Sequence, residues 1–202
     1  MYVLFLNTYL FIIFSAEPSE EVRLLLLKIM DKILNLSGPE SSQDMKLHLD
    51  DLIQIIASCI GDNFADIKEL ACHDVHLLVK VIPKDDHFSA EKLEKLCNPL
   101  ARAMTHQQKR VRVASIKAVG CIILNCGSGG SEQFKLMGSH LAQRLFDPVP
   151  LVRLSVSKIA GDLLLNWKCA YSNCALLIPL MLTRYTLFQA KTIKNILYEF
   201  IN

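Results

Sequence analysis

Apolar residues return at three- and four-residue intervals along most of this chain, and each run ends in a turn of recognisable chemistry. Leu47, Leu49, Leu52, Ile53, Ile56 and Ile60 mark one face of a helix predicted over 46–60. Gly61-Asp62-Asn63 closes that helix and offers a cap to a second one over 64–82, which stops at Pro83-Lys84-Asp85-Asp86. The same helix–turn–helix pattern predicts pairs at 3–15 with 19–36, at 89–104 with 108–125, and at 133–146 with 149–166. A less regular pair is predicted near 173–183 and 188–201. Ser89 is a good N-cap, and Asp147-Pro148-Val149-Pro150 combines a capping carboxylate with proline in a first turn. Ser37–Ser42 and Cys126–Ser131 read as linkers. No strand-like alternation stands out, so an all-α chain is predicted.

The turns are in register with one another. Glu17, Asp62, His106 and Asp147 open them, and a basic residue stands six positions later in each case: Arg23, Lys68, Arg112 and Arg153. Eleven positions after each anchor come Lys28, His73, Lys117 and Lys158. Gly120 and Gly161 lie fourteen after the last two anchors, where a missing side chain admits a neighbouring helix. Turns separated by roughly 41–45 residues, with two helices per unit, indicate an α-solenoid of HEAT repeats, an armadillo-like superhelix of helical hairpins. Each unit buries its apolar face by stacking on the next, which makes an elongated scaffold. The anchor carboxylates and the basic residues that follow are expected to form a structural ladder between units. His106 replaces the carboxylate in the third unit, so the ladder is expected to break there. The two basic rows, Arg23, Lys68, Arg112, Arg153 and Lys28, His73, Lys117, Lys158, are the candidate surface for an acidic partner.

Residues 2–16 are nearly all apolar, with no positive segment before them to suggest a secretory signal. The run is short for a membrane span, which needs about 17–25 apolar residues. It is read as the first helix of the first repeat, so the organisation expected is an apolar segment at 1–16 and an array of about four to five units over 17–202. Ile196-Leu197-Tyr198-Glu199-Phe200-Ile201 is apolar too, whereas solenoids usually end in polar caps. End-to-end self-association, or stacking on further repeats, is therefore expected.

Composition narrows the functional classes. Apolar residues make up 51% and charged residues 21%, enough to bury a core and unlike a disordered chain. A net charge of +2 gives no bulk attraction to nucleic acid. The 7 cysteines contain no Cys-x-x-Cys pair and mostly fall inside apolar helical patterns, as in a reduced, cytoplasmic protein. Arg102, Lys109, Arg110, Arg112 and Lys117 form the densest basic cluster, but no aromatic residues interleave to stack on bases. Cys72, His73 and His76 are close on one helix, yet no partner segment completes a metal site. Gly127–Ser131 lacks the lysine of a phosphate loop, and neither Gly-x-Ser-x-Gly nor paired catalytic carboxylates occur. Trp167 reads as packing. The chain is expected to be non-enzymatic, with no cofactor, no metal and no small-molecule substrate.

Particular strings go further than the repeat. Ala103-Met104-Thr105-His106-Gln107-Gln108-Lys109-Arg110-Val111-Arg112-Val113-Ala114 resembles the central repeats of the HEAT-repeat dynein axonemal assembly factor family. So does Ser139-His140-Leu141-Ala142-Gln143-Arg144-Leu145-Phe146-Asp147, continuing to Val152-Arg153. Glu17–Leu27 and Leu176–Leu182 also fit, and the resemblance runs over about 17–182. It implies a cytoplasmic scaffold that helps assemble the dynein arms of motile cilia, with dynein arm chains, chaperones and other assembly factors as partners. It implies an array longer than this chain, and it brings no catalytic residues. Two other classes remain open on the residues alone. One is a general adaptor of the transport or phosphatase-scaffold type; the other is a HEAT-fold DNA glycosylase, which would need a carboxylate beside aromatics in a basic groove.

Overall fold

Helices stack in two parallel rows. The computed structural model describes residues 14, 16–36, 48–81, 90–125 and 130–166. Within them lie α1 (Glu20–Leu36), α2 (Leu49–Gly61), α3 (Ala65–Val81), α4 (Ala90–Ala103), α5 (Lys109–Asn125), α6 (Gly130–Arg144) and α7 (Pro150–Asn166). No strand occurs among the described residues. The helices predicted at 3–15, 173–183 and 188–201 fall wholly or almost wholly outside them.

α1, α3, α5 and α7 pack side by side in one row, and α2, α4 and α6 form the other. The hairpins α2–α3, α4–α5 and α6–α7 bridge the rows, and the most extensive packing runs along the first row, from α3 to α5 and on to α7. The physical cause is the width of the apolar stripes. α1 buries Leu27, Met30 and Leu34 at helical spacing, one face against its neighbours. α2 buries Leu49, Leu52, Ile53, Ile55, Ile56, Cys59 and Ile60, which is more than one face. Leu27, Leu34, Ile53, Ile56, Ile60, Ile67, Leu78, Leu96, Leu100, Met104 and Ile116 are the largest fully buried side chains. Each contributes on the order of 1.5–3 kcal/mol by leaving water.

The glycine at the third-to-fourth seam confirms close approach. A Cβ added to Gly120 would stand 2.6 Å from Ile159, so α5 and α7 meet where α5 has no side chain. α6 begins at Gly130, earlier than the periodicity predicts, because the first turn of a helix needs no apolar residue. Among the described residues no helix is long and apolar enough to cross a membrane. Among the described residues, the first and last helices of the first row show apolar side chains to solvent: Val22, Leu25, Ile29 and Leu36 on α1, and Leu151, Leu154 and Leu165 on α7.

Candidate functional site

Every turn anchor makes the same local bond, accepting from the backbone N–H two residues on. Glu17 Oε1 accepts from Ser19 (2.8 Å), Asp62 Oδ1 from Phe64 (2.9 Å), His106 Nδ1 from Gln108 (3.1 Å) and Asp147 Oδ1 from Val149 (2.9 Å). These bonds satisfy donors that a helix start leaves without partners. The backbone N–H groups of Asp62, His106 and Asp147 each donate to the carbonyl three residues back, at 3.1 Å. The preceding helix is thereby closed by the residue that starts the next.

The basic residue six positions on then clamps the turn from the far side. Arg23 Nη1 donates to the carbonyls of Glu17 (3.0 Å) and Pro18 (2.9 Å). Arg112 Nη1 does so to His106 and Gln107, both at 2.8 Å, and Arg153 Nη1 to Asp147 (2.7 Å) and Pro148 (3.0 Å). A guanidinium has donors left over, and two of these arginines use them on the carboxylate of the following unit. Arg23 meets Asp62 through Nε (2.9 Å) and Nη2 (3.3 Å). Arg112 Nη2 donates to Asp147 Oδ1 at 2.9 Å, and its Nε lies 2.8 Å from Oδ2 in ion-pair contact without hydrogen-bond geometry. The second rung is deeper: the side chains of Arg112 and Asp147 are 8% and 1% exposed, against 13% and 9% for Arg23 and Asp62. Arg144 Nη1 adds a second cationic group 3.6 Å from Asp147. The Arg23 guanidinium also lies 5.5 Å from the centre of the Phe64 ring.

The rung between the second and third units has another form. Lys68 turns back to its own hairpin and donates to the Ile60 carbonyl at 3.0 Å. Burial lowers its pKa, with the Asp62 carboxylate acting the other way. His106 caps its turn but offers no carboxylate. Burial also lowers the His106 pKa, and the charges of Lys68, Arg112 and Arg110 add to this. The seam is instead bridged at the surface, where Arg110 reaches Asp66 and Glu69, the latter at 3.3 Å.

The two basic rows are thus unlike each other. Arg23, Lys68, Arg112 and Arg153 are all bonded to backbone carbonyls of their own units, Arg23 and Arg112 reach the next unit as well, and Arg112 is buried, so this row is not the open partner surface expected from sequence. Lys28, His73, Lys117 and Lys158 are all exposed, in one register along α1, α3, α5 and α7.

The remaining polar chemistry is sparse. Cys59, Cys72, Cys97 and Cys121 are free and buried, and burial pushes the Cys72 thiol up to about 12, which keeps it from acting as a nucleophile. Cys72 is buried while His73 is exposed, so Cys72, His73 and His76 do not converge on one point. Sequence reading passed over Asp74, which is fully buried beside Asp31. Its burial, with the adjacent Asp31 carboxyl, pushes its pKa up to about 9. The signal was present in the repeat: the same register position holds Ile29, Ala118 and Ile159 in the other units.

Comparisons with known proteins agree with the resemblance. Residues 13–195 match a family model described as dynein axonemal assembly factor 5-like, TPR repeats. The turn spacing of roughly 41–45 residues is that of HEAT units rather than the 34 of tetratricopeptide repeats. Dynein axonemal assembly factor 5 of Mus musculus is 36% identical over 170 residues, covering 84% of this chain and 19% of the mouse protein. The Xenopus laevis protein of the same name is 37% identical over 171 residues, 85% of this chain and 19% of its own. The Homo sapiens protein is 37% identical over 167 residues, 83% and 18%. The chain therefore spans about a fifth of the length of these relatives. Among solved structures, an engineered protein superimposes with a TM-score of 0.65 at 10% identity, over 95% of this chain and 75% of the other. A designed armadillo repeat protein in complex with peptide (KR)4 gives 0.66 at 13% identity, over 92% and 77%. These two establish the solenoid fold.

Proposed function

This chain belongs to the dynein axonemal assembly factor 5-like family, and from that premise we propose that it is a repeat scaffold for the cytoplasmic pre-assembly of axonemal dynein arms. Its partners are proteins: dynein arm chains, with chaperones and other assembly factors. The observation that carries this reading is the separation of the two basic rows. Arg23 and Arg112 of one row tie neighbouring units together, and the other row leaves Lys28, Lys117 and Lys158 exposed in one register, with His73 beside Asp31. The repeat register presents these basic groups in one row, which suits recognition of an extended acidic surface. The designed armadillo protein holds a basic peptide, (KR)4, on a similar architecture; the row here favours the opposite charge. Buried thiols of raised pKa and the apolar lining of the cleft at Phe14, Leu26, Leu27, Met30 and Ile55 support a non-catalytic role. The apolar faces of α1 and α7 support end-on stacking, with further repeats or a second copy.

The test is affinity purification with this chain from the cytosol of cells building motile cilia, followed by mass spectrometry. Enrichment of dynein arm chains is expected, and it should fall for Lys117→Glu with Lys158→Glu, most clearly at low salt. Arg112 is left unchanged in this test, because it belongs to the ladder. A folded, helical bait that captures other cargo and no dynein chains would make the chain a general adaptor.

A further inference from the structure

The seam between α1 and α3 contains a cluster that the ladder does not use. Asp31 on α1 faces His73 and Asp74 on α3, and one ligand atom from each lies within 4.8 Å of the others. His73 Nδ1 is 3.1 Å from Asp31 Oδ1. Asp74 is fully buried, and no N–H or hydroxyl donor reaches its carboxylate oxygens; its polar neighbour is the Asp31 carboxyl, with which it can share a hydrogen bond only by holding a proton. A buried carboxylate without a partner is costly to keep, and a functional explanation is called for where one persists.

The repeat register sharpens this. Asp31 and Gly120 occupy the same position fourteen residues after their anchors, while Asp74 and Ile159 share the position twelve after theirs. At the third-to-fourth seam these positions bring Gly120 against Ile159 in apolar contact. At the first-to-second seam they bring one carboxyl against another. Two carboxyls stand where the other seam has an apolar contact, and His73 of the exposed row completes a group of three possible ligands.

We propose that Asp31, His73 and Asp74 bind a divalent transition-metal ion of the zinc type across the seam between the first and second repeats. One imidazole nitrogen and two carboxylate oxygens suit such an ion, which takes these ligands at about 2.0–2.2 Å. Ligands at that distance from a tetrahedral centre stand roughly 3.3 Å apart, close to the separation of His73 from Asp31. The ion would supply Asp74 with its missing partner and tie α1 to α3, one helical stretch away from the Arg23–Asp62 rung. His73 lies on the exposed side of the seam, in the open basic row, so the fourth position faces solvent and can accept water or a side chain of a bound protein.

The experiment uses the full chain, stripped of metal with a chelator and titrated with Co2+ and Zn2+. Visible ligand-field absorption of tetrahedral Co2+ is expected at one ion per chain, without the near-ultraviolet band of a cobalt–thiolate bond. Zn2+ should compete for the site and raise Tm. Asp74→Ala should remove the visible bands, and His73→Ala should weaken binding by more than the roughly tenfold seen when outer-shell partners are lost. Both variants should fold: α5 carries Ala118 at the position of Asp74, and His73 is exposed; circular dichroism checks this. A featureless Co2+ titration with no Zn2+ heat at millimolar metal would overturn the proposal and leave a proton between the two carboxyls. So would a spectrum unchanged in both variants, or one dominated by thiolate absorption.

Discussion

The two seams on either side of α5 are built differently. Arg112 points forward to Asp147 in a buried, hydrogen-bonded ion pair, whereas Arg110 points back to Asp66 and Glu69 at the surface. Two residues apart on a helix is about 200°, so one helix can serve both seams with opposite faces. The turn itself is the same at both: His106 and Asp147 each cap the N–H two residues on, and each N–H closes the preceding helix. The comparison shows that the local turn and the bond between repeats are separable. The first is kept in all four units, and the second is present only where an arginine faces a carboxylate.

The largest effect is expected at the buried rung. Arg112→Ala leaves Asp147 buried without its main partner and should cost about 3–5 kcal/mol, read as a lowered midpoint in urea unfolding. A loss below about 1 kcal/mol would mean that Arg144 and the turn bonds suffice. At the same seam, Gly120→Ala drives a Cβ into Ile159 and should cost about 1–3 kcal/mol, largely recovered by Ile159→Ala.

The surface seam can be converted into the buried kind. Lys68→Arg with His106→Asp recreates the guanidinium–carboxylate pair, and a double-mutant cycle should give a favourable coupling of about 0.5–3 kcal/mol. Zero coupling would show that the second and third units are set too far apart for a rung. Arg110→Ala, which breaks two exposed pairs, should cost no more than about 1 kcal/mol and lose even that in high salt.

The smallest effect concerns pH. Because burial and neighbouring cations lower the His106 pKa, the unfolded chain binds a proton there before the folded chain does. Stability contributed by neutral His106 is thus present above the ordinary histidine range and is lost as pH falls through it. His106→Asn keeps a turn acceptor without the titration, so unfolding midpoints between about pH 7 and 5 should fall less in that variant than in the parent.

The sequence by itself determined the repeat, the turn anchors and the basic residues that follow them, because these depend on helical period and on hydrogen bonds reaching no more than eight residues. It also marked His106 as lacking the carboxylate of the other turns. Only the tertiary structure decided which rungs close, that Arg112 is buried while Lys117 is not, and that Asp74 meets Asp31. Those outcomes join residues 35 to 43 apart, through the register of one hairpin against the next. Asp74 lay in plain view beside His73, but its helical neighbours Cys72 and His76 drew the reading along one helix. The partner stood on another, and stacking alone brings the two helices together.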